Sequence, residues 1–105
     1  MQRMAYTAHW EGRAHHGYAV SIIREREQDF VKKLPGFFSL LDAMFQGEAT
    51  MNHNLMFNRQ DPDFTLIHFT TCTTTDQVAE RVYAEVQDFV KSYLAMTQAE
   101  NTCKL

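Results

Sequence analysis

The spacing of apolar residues along this chain changes period three times, and these changes constrain the fold more than any other feature. Apolar and polar residues alternate, as is typical of half-buried strands, in four segments: 4–11, 18–23, 49–58 and 64–73. Two further segments lie between the second and third strands and after the fourth, along 25–45 and 78–94. In these, apolar residues recur every third or fourth position, as in a helix packed on a core. The predicted order of elements is therefore ββαββα.

The first predicted helix contains a proline and a glycine, Pro35 and Gly36. A proline inside a helix removes one backbone hydrogen bond and crowds the preceding turn, which costs about 3 kcal/mol. The apolar stripe nevertheless keeps its phase from Phe30 to Phe45. We therefore expect a helix that is kinked or broken near Pro35, with both halves on the same core. Gly47 is expected to follow its end in a left-handed conformation.

The closing helix is the most regular element of the sequence. Residues Thr74 to Gln77 match a capping box, and the apolar face that follows is broader than one core requires. Together these patterns predict an α+β fold, a two-layer sandwich with a four-stranded antiparallel sheet and two main helices on one face. We expect a single domain over residues 1–97 and a frayed tail over 98–105.

Charge and hydropathy exclude some classes of partner. The chain of 105 residues has 10 Lys and Arg against 13 Asp and Glu, a net charge of -3, so it lacks the general attraction to phosphates of nucleic-acid binders. No apolar stretch approaches the ~20 residues that span a bilayer, and residues 1–4 lead into polar alternation instead of an apolar signal core. We expect a soluble, cytoplasmic protein with no nucleic-acid or membrane partner.

The two cysteines, Cys72 and Cys103, are too few for a disulfide framework or a structural zinc site. We expect reduced thiols in the cytoplasm. The alternative is a Cys72–Cys103 bond that tethers the tail.

The histidines and cysteines do not form a recognisable catalytic or metal site. Five histidines are present, but adjacent residues such as His15 and His16 point different ways, and no pair has ligand spacing on a helix. Cys72 and His68 would lie on one strand about 13 Å apart, too far for a nucleophile and its base. His53 could approach Cys72 from another strand, although nothing in the spacing requires it. We therefore assign no catalytic residue, no metal and no cofactor.

Two helices can cover only one face of a four-stranded sheet, so we expect the other face to be the functional surface. The favoured hypothesis is a small protein-protein interaction module, of adaptor, chaperone-like, immunity or inhibitor type, that acts through an apolar sheet face or the closing helix. Its partner would be a second copy, forming a homodimer, or a basic target protein. The candidate partner-binding residues are Trp10, Ile67, Phe69 and Tyr83.

The alternative is a small-ligand-binding or enzymatic α+β domain with a pocket between sheet and helices. Aromatic residues and a histidine would line that pocket: Tyr6, Trp10, Tyr18 and His68. The two hypotheses differ in the mass expected in solution, since only the interaction module needs to associate.

Overall fold

The computed structural model describes the backbone of residues 7–11 and 15–103 and the side chains of residues 15–97. Within these described residues, five strands and two helices follow each other: β1 (Thr7–Glu11), β2 (His15–Ile23), α1 (Glu27–Met44), β3 (Ala49–Met51), β4 (Met56–Asn58), β5 (Phe64–Thr73) and α2 (Asp76–Cys103). A single 3₁₀ turn, Arg24–Arg26, leads into α1. The predicted α+β class and the order of strands and helices are confirmed.

The sheet is antiparallel and four strands wide, in the order β1, β2, β5 and then β3 with β4. Both β3 and β4 pair with the same edge of β5, so the third predicted strand, 49–58, is present in two pieces. Between β3 and β4, the four residues 52–55 lie opposite only two residues of β5, Phe69 and Thr70. This edge of the sheet therefore has two more residues than a regular pairing with β5 would need. The side chain of Asn52 accepts the backbone N–H of Asn54 at 2.9 Å, and such a local turn competes with ladder pairing.

Both helices pack on the same face of the sheet, as predicted. The core positions are the even-numbered residues of β2 and residues 65, 67, 69 and 71 of β5, with Val20 paired to Ile67 and Tyr18 paired to Phe69. These strand residues join one core cluster to which α1 contributes Phe30, Leu34, Phe37, Phe38 and Leu41, and α2 contributes Val78, Val82, Val86, Val90 and Tyr93. The opposite face of the sheet therefore has neither helix on it.

Helix α1 continues through Pro35 without a break. Pro35 is exposed, while Leu34 before it and Phe38 after it are buried in the core. Packing of both halves against the sheet therefore offsets the backbone hydrogen bond that the proline cannot make. Gly47 has φ +80°, which confirms the left-handed position predicted after the helix.

Helix α2 begins one residue later than the sequence suggests. The hydroxyl of Thr75, and not that of Thr74, accepts the backbone N–H of Val78 at 3.2 Å, while Thr74 donates its own N–H to the carbonyl of Glu48 at 2.9 Å. The helix then runs for 28 residues to Cys103 and does not end at Thr97. It therefore extends into the segment from residue 98 that was expected to fray. No helix in the described part of the chain is long and apolar enough to cross a membrane.

The length of α2 separates the two cysteines. A helix rises by about 1.5 Å per residue, so Cys103 lies about 40 Å from the helix start. Cys72 precedes that start by four residues, which reach about 14 Å at most when fully extended. A disulfide requires Cα atoms within about 7 Å, so a bond between Cys72 and Cys103 of one chain is excluded in this fold.

Aromatic contacts and a hydrogen bond join α1 to α2 above the sheet. The ring of Phe37 stacks on that of Phe89 with 4.2 Å between centroids. The hydroxyl of Tyr93 donates to Oδ2 of Asp29 at 2.7 Å, and this hydrogen bond lowers the pKa of the Asp29 carboxyl. The helical layer is therefore held together by stacking and by a charge-assisted hydrogen bond.

Candidate functional site

The sheet face that has neither helix on it is the candidate surface, and we call it the open face. Its described side chains belong to residues that alternate with the core positions of β2 and β5, together with their cross-strand neighbours on β3 and β4. They are His15, Ala19, Ser21, Ile23, Thr50, Met56, Asn58, Phe64, Leu66, His68, Thr70 and Cys72. All of them are exposed or half-buried.

None of these described side chains carries a full charge from Asp, Glu, Lys or Arg, although 22% of the whole chain does. Four of them, Ile23, Met56, Phe64 and Leu66, are large and apolar, and Met56 is 64% exposed. The centres of protein interfaces are depleted of charged residues, whereas ordinary solvated faces are rich in them. The described part of the open face therefore shares this depletion of charge with the centres of interfaces.

The assignment of Ile67 and Phe69 to this surface is wrong. Their side chains are only 0% and 2% exposed because they point into the core beneath the helices. The outward-pointing residues of the same strand include their neighbours Leu66 and His68. The alternation along β5 is present, but the face predicted to bind a partner is the one that the helices cover.

The other two predicted partner-binding residues are placed differently. Trp10 lies in β1 at the register position opposite Gly17, and its side chain is outside the described residues. Tyr83 lies on α2, where it is half-buried and stacks against Tyr18 with 6.1 Å between ring centroids. Its hydroxyl accepts a hydrogen bond from the amide of Gln87 at 3.1 Å. Tyr83 is therefore on the helical layer and does not contribute to the open face.

The predicted ligand pocket is not formed by the residues that the structure describes. Tyr18 is 1% exposed within the core, its hydroxyl donates to the carbonyl of Ala79 at 3.4 Å, and burial raises its pKa well above the ordinary range. His68 lies on the open face, opposite Ala19. The sheet thus separates Tyr18 from His68, so they cannot line one cavity. Tyr6 and the side chain of Trp10 lie outside the described residues.

One pair of reactive side chains meets on the open face. Cys72 and His15 are directly opposite each other in β5 and β2, and the cysteine Sγ lies 2.9 Å from the histidine Nδ1. Both residues are exposed. The sequence pattern does not predict this pair because the second predicted strand starts at residue 18, whereas β2 begins at His15. His53, the cross-strand candidate considered instead, packs edge-on against Phe38.

No group of three or more His, Cys, Asp or Glu side chains among the described residues is arranged to hold a metal ion. The principal charged cluster has a structural role at the start of α1. Arg59 donates to both carboxylate oxygens of Glu27 at 2.8 Å, and Thr65 donates to one of them. Arg24 donates to the hydroxyl of Thr65 and to three backbone carbonyls within residues 59–64. This network holds the β4–β5 turn against α1.

The network predicts acid-sensitive stability. Hydrogen bonds from Arg59 and then Thr65 lower the pKa of Glu27 from 4.5 to about 2, so the folded state binds fewer protons than the unfolded state between these values. The stabilisation is therefore complete above pH 4.5 and is lost as the pH falls toward 2. We expect Glu27→Gln to lower the free energy of unfolding at neutral pH by about 2 kcal/mol. This is less than the full pKa shift implies, because solvent partly screens the charge of the half-exposed Arg59.

Urea unfolding of wild type and Glu27→Gln across the acid range measures this effect. The two free energies should converge toward pH 2, and Glu80→Gln, an exposed helix substitution, should follow the wild-type curve. A constant difference between Glu27→Gln and wild type at every pH would contradict the assigned role.

Comparison with protein-family models, with curated proteins and with solved structures finds no match to this chain, so the site stands on its own geometry.

Proposed function

We propose that this protein is an interaction module that pairs with a second copy of itself through the open face. The observation that carries the proposal is the absence of charged side chains among the described residues of that face, which combine apolar and small polar groups. In a two-fold dimer the same patch meets itself, so a charge close to the two-fold axis would face its own copy. An uncharged, partly apolar patch avoids that repulsion and is self-complementary.

A basic target protein is less well supported than a second copy. The net charge of -3 would favour such a partner only where the acidic groups face it. The described carboxylates lie on the helices and connections, and none lies on the open face. A basic surface docked there would lose its hydration without gaining an opposite charge.

The size of the face predicts a dimer that dissociates on dilution. Strands β2 and β5 have 9 and 10 residues. Strands spaced about 4.8 Å apart and rising about 3.4 Å per residue give a four-stranded face on the order of 500 Å2. Two such faces together bury about 1,000 Å2, which is at the low end for specific interfaces. We therefore expect monomer and dimer to coexist in solution.

Leu66→Asp tests the proposal, because Leu66 lies between Ser21 and Asn58 near the centre of the open face. Each dimer would then bury two carboxylates, and we expect dimerisation to weaken by at least about tenfold, or 1.4 kcal/mol. Sedimentation equilibrium over a concentration series measures the change. The matched control is Leu40→Asp, because Leu40 is 55% exposed on α1, away from the open face.

The wild type and Leu40→Asp should show the same rise in mass with concentration. Leu66→Asp should need at least about tenfold higher concentration for the same rise, while keeping the wild-type circular dichroism spectrum. A wild type that is monomeric at every concentration would refute the proposal. So would a dimer that Leu40→Asp disrupts and Leu66→Asp leaves intact, since the interface would then involve the helical layer.

We also propose that the protein acts in the cytoplasm. The support is the free, exposed thiol of Cys72, which is typical of reducing compartments.

A further inference from the structure

We infer that Cys72 and His15 form a thiol–disulfide exchange site that accepts low-molecular-weight disulfides. The cysteine Sγ lies 2.9 Å from the histidine Nδ1, within reach of direct proton transfer. Both side chains are exposed, so a small disulfide can approach the sulfur from solvent. A nucleophile in contact with a base is the arrangement that activates a thiol.

The backbone holds the pair in place. Cys72 and His15 are opposite each other in the longest strand pairing of the sheet, which extends from His15↔Cys72 to Ile23↔Phe64. Groups presented by neighbouring strands are positioned more rigidly than groups on loops. On the other side of Cys72, β3 presents Thr50, a small hydroxyl residue. No described carboxylate lies on the open face to compete for the imidazole.

The exchange is balanced without any further reactant. His15 accepts the thiol proton, and the Cys72 thiolate attacks one sulfur of the small disulfide. The sulfur–sulfur bond of that molecule breaks as the new one forms, and the other half leaves as a thiolate that takes the proton from the imidazolium. The products are a mixed disulfide on Cys72 and one free small thiol. Cys72 is oxidised, and one half of the small disulfide is reduced.

The adduct would also occupy the open face. If the proposed dimer forms through that face, thiolation of Cys72 keeps the modified subunit monomeric, a consequence that rests on the proposed function. The exchange chemistry itself does not depend on dimerisation, because the free monomer exposes the pair.

The experiment follows the rate at which Cys72 reacts with dithiodipyridine, a disulfide that releases a coloured product. A Cys103→Ser background isolates Cys72, and a Cys72→Ser protein reports Cys103 as the reference thiol. Rates are measured against pH at concentrations where sedimentation shows only monomer. His15→Gln removes the base. His68→Gln is the matched control, since His68 is a histidine of the same face four residues along β5, about 13 Å from Cys72.

At neutral pH we expect His15→Gln to slow the reaction of Cys72 by about tenfold, and His68→Gln to leave it unchanged. The difference in rate between the protein with His15 and His15→Gln should disappear above about pH 9.5, where thiols ionise without a base. A merely structural role for His15 would not produce this pH dependence. Equal rates with and without His15 at every pH, or a Cys72 no faster than Cys103 at neutral pH, would overturn the inference. A monomeric wild type would remove only the proposed dimer and leave these rates interpretable.

Discussion

Replacing Ile67 with aspartate is expected to unfold this protein, whereas the same replacement at the next residue, Leu66, leaves it folded. Ile67 is fully buried and pairs with Val20 in the centre of the sheet, so its replacement places a carboxylate in the core without a partner. An uncompensated buried charge costs several kcal/mol, a large share of the about 5–15 kcal/mol by which domains are stable. Leu66 points to the open face, where water can solvate the carboxylate.

Circular dichroism and urea unfolding of the two variants measure the contrast. Ile67→Val serves as the control for the position, because the loss of one buried methyl group should cost only about 1 kcal/mol. If Ile67→Asp unfolded cooperatively near the wild-type midpoint and Leu66→Asp did not fold, the helices would lie on the opposite face of the sheet. The open face, and with it the proposed dimer, would then have to be redefined.

Local patterns in the sequence predicted the elements and their order because strand and helix periods depend on near neighbours. They did not show which face of β5 the helices cover, since apolar residues occur on both faces: Phe64 and Leu66 on one, Ile67 and Phe69 on the other. The sequence alone does not show the register in which β2 pairs with β5. Once Tyr18 pairs with Phe69, the strongly apolar side of β2 identifies the core face.

Register also explains why the Cys72–His15 pair was missed. The sequence pattern starts the second strand at residue 18, so both preceding histidines fall outside it. The structure continues the β2–β5 pairing to His15↔Cys72, a contact between residues 57 positions apart in the chain. Such a contact depends on the whole length of the pairing, so spacing within either strand alone cannot reveal it.

Smaller differences have local causes that a closer reading of polar side chains could identify. The break between β3 and β4 coincides with the turn that Asn52 makes with Asn54, and asparagine is known to favour such turns. The start of α2 is set by Thr75, the last of three consecutive threonines at 73–75 that directly precede the helix. In both cases the element was predicted and only its boundary was displaced.

Phe38→Ala is expected to lower the free energy of unfolding by about 3–5 kcal/mol, the range measured for large aromatic residues removed from cores. Phe38 is 2% exposed and its ring lies 5.1 Å from that of Phe69, centroid to centroid. Leu40→Ala, two residues further along α1, should cost less than about 1 kcal/mol, because Leu40 loses little packing. Urea unfolding of the two variants provides the comparison.

This pair of substitutions tests how the chain passes Pro35. If α1 is continuous and both halves pack on the sheet, the effects at Phe38 and Leu40 must differ strongly, because one faces the core and the other faces solvent. If the segment after Pro35 were loosely attached, truncating Phe38 would cost little more than truncating Leu40. A difference below about 1 kcal/mol would therefore contradict the packing of the second half of α1, on which the covered face of the sheet depends.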